Sequence, residues 1–377
     1  MPENIIEYQT KNKGEWTELY VFFRLLGIGK LYAADEGMNQ LHNSYLNILK
    51  IMREDILGTK NNYFRREDKV DIYLNNELEC TVEAGTFNDA ADNLFHKIQT
   101  GRGRSFAVED AENFMHSIYV YNVKDSSHKA DIFLELRDSQ TGYDTETGFS
   151  IKSDYQSKAS LINASEATNF IYKLTGNMTD DIMNAVNAIN DVDENDNVIL
   201  HEDGSQIEKV KERLNYLREK QIELDFCDAY RPKCKKNLMR IDSKFPQILG
   251  EALKIYYYSD LNVSSDIINR LSELDPLGYE DDYAYMYKFK KLFTACSLGL
   301  NLGKNWDGLE EARGGIIIVK GTGDIIAYHV YNRNLFENFL INGTKFEHGG
   351  TTKHKYCKIY KTDNDYFIRL NLQIRYI

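Results

Sequence analysis

No stretch of the chain approaches the roughly 20 consecutive apolar residues a helix needs to cross a bilayer. The opening MPENIIEYQTKNKGEW has neither the basic start nor the apolar core of a secretory signal. A cytoplasmic protein is expected. Cysteine is sparse: Cys80, Cys227, Cys234, Cys296 and Cys357 make an odd number, with no CxxC among them. That argues against a disulfide framework or a zinc site and leaves buried thiols. There is no internal repeat and no proline- or serine-rich linker, so domain boundaries are soft. A phosphate-cradling loop is missing as well, because Gly321-Thr-Gly323 has no helix after it and reads as a turn before a strand.

Basic residues are absent from 176–207, which holds eight acids and so accounts for most of the net charge of -12. Affinity for DNA comes largely from lysine and arginine on phosphates, so the total argues at first against a nucleic-acid partner. The distribution reverses that argument. Residues 312–377 hold ten Lys/Arg against five Asp/Glu, and a basic face can coexist with an acidic total.

With 42% hydrophobic and 28% charged residues the composition is that of an ordinary globular protein, and the mixture of expected helices and strands makes the fold class α/β (α+β). GEWTELYVFFRLL at 14–26 places Trp16, Leu19, Tyr20, Phe22, Phe23 and Leu26 at helical spacing, and Gly27-Ile28-Gly29 stops the helix. A second helix is expected over 39–56. Residues 70–83 alternate around Asn75-Asn76, a pair suited to the positive φ of a hairpin turn. Helices are expected at 88–100 and 109–115, a strand at 118–123, and a helix from an N-cap at Ser165 to about Leu174. Helices at 206–220, 235–258, 265–274 and 281–298 follow, interrupted by a strand at 222–227 that would return to the main sheet. Strands at 315–320, 324–330, 356–360 and 366–374, with a helix at 334–340, complete the chain. The tyrosines at 256–258 and 283–287 are expected to pack on helices rather than to stack on bases. The division this suggests is 1–176 for the N-terminal helices and catalytic sheet, 177–308 for a mainly helical region, and 309–377 for a β-rich basic region.

The chemistry concentrates in KADIFLELRDSQTGYDTETGFSIKSDYQSKASLINASEATN at 129–169. If Thr141 and Gly142 form a turn, antiparallel pairing sets Asp131 opposite Lys152. On the returning strand Gly148, Ser150 and Lys152 share one face while Phe149 and Ile151 point to the core. Phosphodiester hydrolysis needs carboxylates to hold Mg²⁺ against the phosphate and a lysine to steady the attacking water. Asp131 and Lys152 supply one of each. The competing reading is a cross-strand salt bridge at a sheet rim, contributing about a few tenths of a kcal/mol. A nuclease would ordinarily carry a glutamate two places before the lysine, and here Ser150 stands there. The second carboxylate is expected from Glu166, with Glu18 and Glu146 in reserve; for Glu166 the competing role is helix-dipole stabilisation. His329 with Asn332, and Glu347, His348 and His354, would suit a histidine-metal nuclease, but their spacing fits no tight ligand motif.

These segments resemble the HpaII-type type II restriction endonucleases along the length of the chain. The resemblance is carried by GEWTELYVFFRLLGIGKLYAAD, by GFSIKS with LINASEATNFIYKL, by NWDG, and by YHVYNRNLFENFLINGTKFE with YFIRLNLQIRY. It implies a restriction-endonuclease-like PD-(D/E)XK core and Mg²⁺-dependent double-strand cleavage of DNA at a short palindrome, CCGG for the type enzyme. It implies also a cognate methyltransferase and, from the palindrome, a homodimer. Asp131 falls on the family's aspartate, with Ala130 in place of the proline, and Ser150-Ile151-Lys152 falls on the (D/E)XK position. Some CCGG-reading nucleases carry a similar SXK and draw a glutamate from the next helix, the position Glu166 would fill. Asp131, Glu166 and a carbonyl near Ile151 would then hold the metal. DNA contacts are expected from Ser153, Asn163 and Asn169 and from Arg333, Asn334, Lys345 and Lys353. The rival expectations are a DNA-binding protein that has lost cleavage and a non-specific repair nuclease.

Overall fold

Helix Lys13–Ile28 is buried on almost every side: Trp16, Leu19, Tyr20, Val21, Phe22, Phe23, Leu25 and Leu26 are all inaccessible to solvent. A helix apolar all round belongs in a core rather than on a surface. Asn12 and Glu15 close a capping box at its start, and Gly29 ends it in the left-handed region at φ 67°. In this computed structural model the described residues are 9–377 without 36, 55–57, 123–129, 140, 156–158, 190–196, 198–199, 201–208 and 311. Among them the fold is mixed α/β, and no helix is long and apolar enough to cross a membrane.

The chain divides into two compact units: residues 1–159, 297–299 and 310–336, and residues 160–296, 300–309 and 337–377. The break therefore falls before Ser160 rather than after 176, and the strands at 315–329 belong with the first unit.

The first unit is built on a nine-stranded sheet in the order Lys30–Ala34, Ile325–His329, Gly315–Val319, Asp144–Ser153, Ile132–Asp138, Gln40–Glu54, Lys60–Arg65, Lys69–Leu74 and Glu77–Glu83. Gly315–Val319 runs parallel to Asp144–Ser153; most other pairs are antiparallel. Phe149, Ile151, Ile317, Val319, Ile325 and Ala327 enter one hydrophobic core with helix Lys13–Ile28. The hairpin at Asn75-Asn76 forms as its residues dictate, both with positive φ (48° and 73°). Helices Ala84–Thr100 and Glu109–Ser117 also form where expected.

Three elements of this unit differ from expectation. Residues 39–56 do not form a helix; Gln40–Glu54 is a long strand, paired over its first half with Lys30–Ala34 and over its second with Ile132–Asp138. Its leucines and isoleucines fit helical spacing, but pairing on both edges overrides local preference. Residues 118–122 make a turn and an irregular segment instead of a strand, and Val123 lies outside the described residues. The hairpin that carries Ser150 and Lys152 pairs Ile132 with Phe149, a register two residues shorter than a turn at Thr141-Gly142 would set. Its closing bonds run from Gly142 N–H to the Asp138 carbonyl and from Asp138 N–H to the Tyr143 carbonyl. A slip of two preserves which side chains share a face.

The second unit holds a four-stranded antiparallel sheet, Glu223–Ala229, Asn169–Thr175, Asp365–Asn371 and Ile359–Thr362, and a three-stranded one, Ser160–Ile162, Gln373–Tyr376 and Thr344–Glu347. The strand at 223–229 therefore joins this unit's own sheet instead of returning to the first. The helix expected from Ser165 is one 3₁₀ turn, Glu166–Thr168, followed by the strand Asn169–Thr175. Ser165 does cap that turn, but Phe170, Tyr172 and Leu174 are buried in alternation, the period of a strand. The expected helix 235–258 is two helices, Pro232–Ile241 and Phe245–Tyr258, broken where Asp242 Oδ1 accepts from Lys244 N–H. All five cysteines are free thiols.

Candidate active site

Strand alternation sets Ser150 and Lys152 on the face opposite Phe149 and Ile151, which are 0% and 7% exposed. Asp131 sits one residue before the strand Ile132–Asp138, its N–H bonded to the Phe149 carbonyl at 2.9 Å. That bond brings its carboxylate to Ser150. Asp131 Oδ2 accepts from Ile151 N–H at 2.7 Å and from the Ser150 hydroxyl at 3.1 Å, while Lys152 Nζ donates to the same hydroxyl at 3.2 Å. A hydroxyl can donate once and accept at the same time, so Ser150 satisfies both neighbours. Asp131 and Lys152 are not within ion-pair distance, which removes the rim salt bridge as the account of this pair. Among the described residues Asp131 Oδ1 has no hydrogen bond and Lys152 has no carboxylate partner.

The other acids of the hairpin are committed elsewhere. Glu135 and Glu146 lie opposite each other and both clasp Lys50, at 2.8 and 3.0 Å. Glu18 lies on helix Lys13–Ile28, which packs beside the Asp144–Ser153 strand. Its neighbour Thr17 bonds the Tyr155 hydroxyl at 2.7 Å, three residues beyond Lys152. In the second unit Glu166 accepts from Lys355 at 2.6 Å and Arg231 at 2.5 Å. Those two bonds, Lys355 first, hold its carboxyl below the usual carboxylate range. The Lys50 clasp and the Lys355–Arg231 pair were invisible in the sequence, since each joins residues far apart along the chain.

A profile of the HpaII restriction endonuclease family matches residues 12–376. The type II restriction enzyme HpaII of Haemophilus parainfluenzae is 33% identical over 98% of this chain and 99% of its own length. The chain belongs to the HpaII restriction endonuclease family. It is accordingly an enzyme of the type II site-specific deoxyribonuclease class. No solved structure matches it.

Of the residues expected to touch DNA in this family member, Arg333, Asn334, Asn163 and Lys353 are exposed and Ser153 is partly so. Lys345 is paired with Glu347 at 2.6 Å. Asn169 corrects the expectation: it is fully buried, donating to the His354 carbonyl at 2.8 Å and accepting from Asn371 at 2.7 Å. Both ends of its amide are used inside the unit, so it is a core residue. The histidines do not assemble a metal site either; among the described residues no three metal-binding side chains come together. His329 Nδ1 accepts from Tyr331 N–H at 3.0 Å and its ring stacks on Tyr331, while burial pushes its pKa down to about 4. His348 bonds the Tyr356 hydroxyl and Glu347 is taken by Lys345 and Arg375.

Proposed function

We propose that this restriction endonuclease is a Mg²⁺-dependent nuclease of the PD-(D/E)XK kind that cuts both strands of DNA at a short palindrome, with CCGG the first sequence to test. The observation that carries the reading is Asp131–Ser150–Lys152: a carboxylate with one oxygen fixed and, among the described residues, the other unbonded, beside a lysine that meets no carboxylate among them. Hard oxygen donors suit Mg²⁺, which commonly takes one or two carboxylates and fills its remaining positions with water and phosphate. Asp131, a second carboxylate and the Ile151 carbonyl would hold the ion, which when bound polarises the scissile phosphate. Lys152 orients the attacking water and offsets the charge that develops on the phosphate oxygens. Ser150 fixes the spacing of the two charged groups.

For the second carboxylate, Glu166 is favoured by the SXK pattern, and its carboxyl is ionised at neutral pH; it must exchange Lys355 and Arg231 for the metal. Glu18, on the helix beside the Lys152 strand, is the competing choice, and Glu146 is engaged by Lys50, which it shares with Glu135. Arg333, Asn334, Lys353, Ser153 and Asn163 are the groups proposed to meet DNA. A two-fold palindrome fits a two-fold homodimer, and a cell that carries such a nuclease protects its own sites with a cognate methyltransferase.

Digestion of a phage genome of known sequence, with Mg²⁺ and with EDTA, tests the reading. A discrete banding pattern that maps to CCGG and vanishes in EDTA is expected. Binding without cleavage would reduce the activity to recognition alone, and cutting at ends or junctions would contradict site specificity.

A further inference from the structure

The second unit contains a pocket whose lining, Lys355 apart, has no part in the site described above. It is a cavity of about 240 Å³ lined by five cationic residues, Lys209, Arg213, Lys355, Lys358 and Arg369, with Thr351 and Thr352 and, among the described residues, no carboxylate. Arg213, Lys358 and Arg369 bring like charges around one concavity, while Lys355 is met by Glu166, and a bound anion would offset that repulsion.

Arg213 and Arg369 meet no carboxylate among the described residues. Arg213 is 1% exposed, and its guanidinium is spent on the main-chain carbonyls of Asn187, Ile189 and Cys357, which fix its position without neutralising it. Arg369 is clamped between the Tyr230 and Tyr360 rings, 4.5 and 5.5 Å from their centroids. Its Nε is buried with no hydrogen-bond partner, and no carboxylate meets it among the described residues. A guanidinium oriented by stacking, with its Nε–H unused among the described residues, is arranged for an oxyanion. Lys358 stands exposed at the rim, and the Thr351 and Thr352 side chains add hydroxyl donors. Lys355 spans the pocket and the Glu166 carboxylate, 2.6 Å away.

We infer that this pocket binds a phosphate group, and that in the working enzyme the phosphate is one of the DNA backbone; this last identification rests on DNA being the substrate. The lysine, arginine and threonine donors of the wall match phosphate oxygens. The contact is therefore one of register and affinity rather than of sequence. Because Lys355 also holds Glu166, a phosphate that draws on Lys355 loosens one of the two cations on that carboxylate.

The test uses the full chain in EDTA, where nothing is cut. Two probes are added separately: inorganic phosphate against chloride of equal ionic strength, read by thermal melting, and a short CCGG duplex, read by anisotropy over a salt series. The variants are Arg369→Gln and the surface change Lys358→Gln, with Lys361→Gln, whose ammonium is paired to Asp180 outside the pocket, as control. The expected result is a phosphate-dependent rise in melting temperature that both pocket variants lose and the control keeps. Duplex affinity should fall about tenfold and the salt slope by about 1 for each pocket variant. Loss of the phosphate effect with unchanged duplex binding would keep the pocket and assign it to a free phosphate. Wild-type response to both probes in both variants overturns the inference. A wild-type protein that ignores the duplex but answers to phosphate fails the DNA reading and not the pocket.

Discussion

Asp131 and Lys152 meet through the hydroxyl of Ser150, which donates to the aspartate at 3.1 Å and accepts from the lysine at 3.2 Å. The residue that looks like a gap in a nuclease motif is the one that sets the distance between its two charges. Ser150→Ala removes a hydrogen bond from each. A bond to a charged group contributes about 1.5–3 kcal/mol, so cleavage should slow by roughly 10- to 100-fold. Single-turnover cleavage checks this, and KM for DNA should barely move.

Glu166→Gln and Glu18→Gln separate the candidates for the second carboxylate. The variant that loses the metal ligand should need far more Mg²⁺ for half-maximal rate, and the other should keep the wild-type Mg²⁺ curve. Lys355→Gln removes the first of the two bonds that hold the Glu166 carboxyl low. Its titration, followed by carboxyl NMR, should then move up toward the ordinary carboxylate range.

His329 gives a pH dependence of stability with a definite sign. Burial lowers its folded pKa to about 4 from an ordinary 6.5, so the unfolded chain takes up the proton first as pH falls. Its contribution is complete above the unfolded value and drains between about pH 6.5 and 4, by roughly 3 kcal/mol in all. His329→Asn keeps an acceptor for Tyr331 N–H and should flatten this part of the acid limb in urea melts. The same variant should leave the pH profile of cleavage between 6 and 8 unchanged.

Asn169→Ala should act on stability and not on recognition. The change strands the His354 carbonyl and takes one acceptor from the Asn371 amide, which keeps the Ser165 carbonyl, a loss of about 1–3 kcal/mol. Equilibrium unfolding measures it, and the protein that remains folded should bind a CCGG duplex as wild type does.

What was legible in the sequence was local. The buried first helix, the Asn75-Asn76 hairpin and the alternation of Phe149, Ser150, Ile151 and Lys152 each follow from a short stretch, and each stands in the structure. What was not legible needed partners far along the chain. Gln40–Glu54 reads as helix until it is paired on both edges, and Phe170, Tyr172 and Leu174 carried a strand's period that a good N-cap at Ser165 concealed. Asp131 and Lys152 were expected opposite each other on a register two residues too long, and they still come together at Ser150 because an even slip keeps the face. The clasp of Lys50 on Glu135 and Glu146 and that of Lys355 on Glu166 depended on contacts no spacing rule reveals.

The central claim is that Asp131 and Lys152 perform the cleavage. Supercoiled plasmid bearing CCGG sites, incubated with Mg²⁺ and with wild type, Asp131→Ala or Lys152→Ala, tests it directly, with duplex binding measured alongside. The account predicts that wild type linearises and fragments the plasmid, and that each variant binds DNA but leaves it supercoiled, at least about 1,000-fold slower. Undiminished cutting by either variant would contradict it.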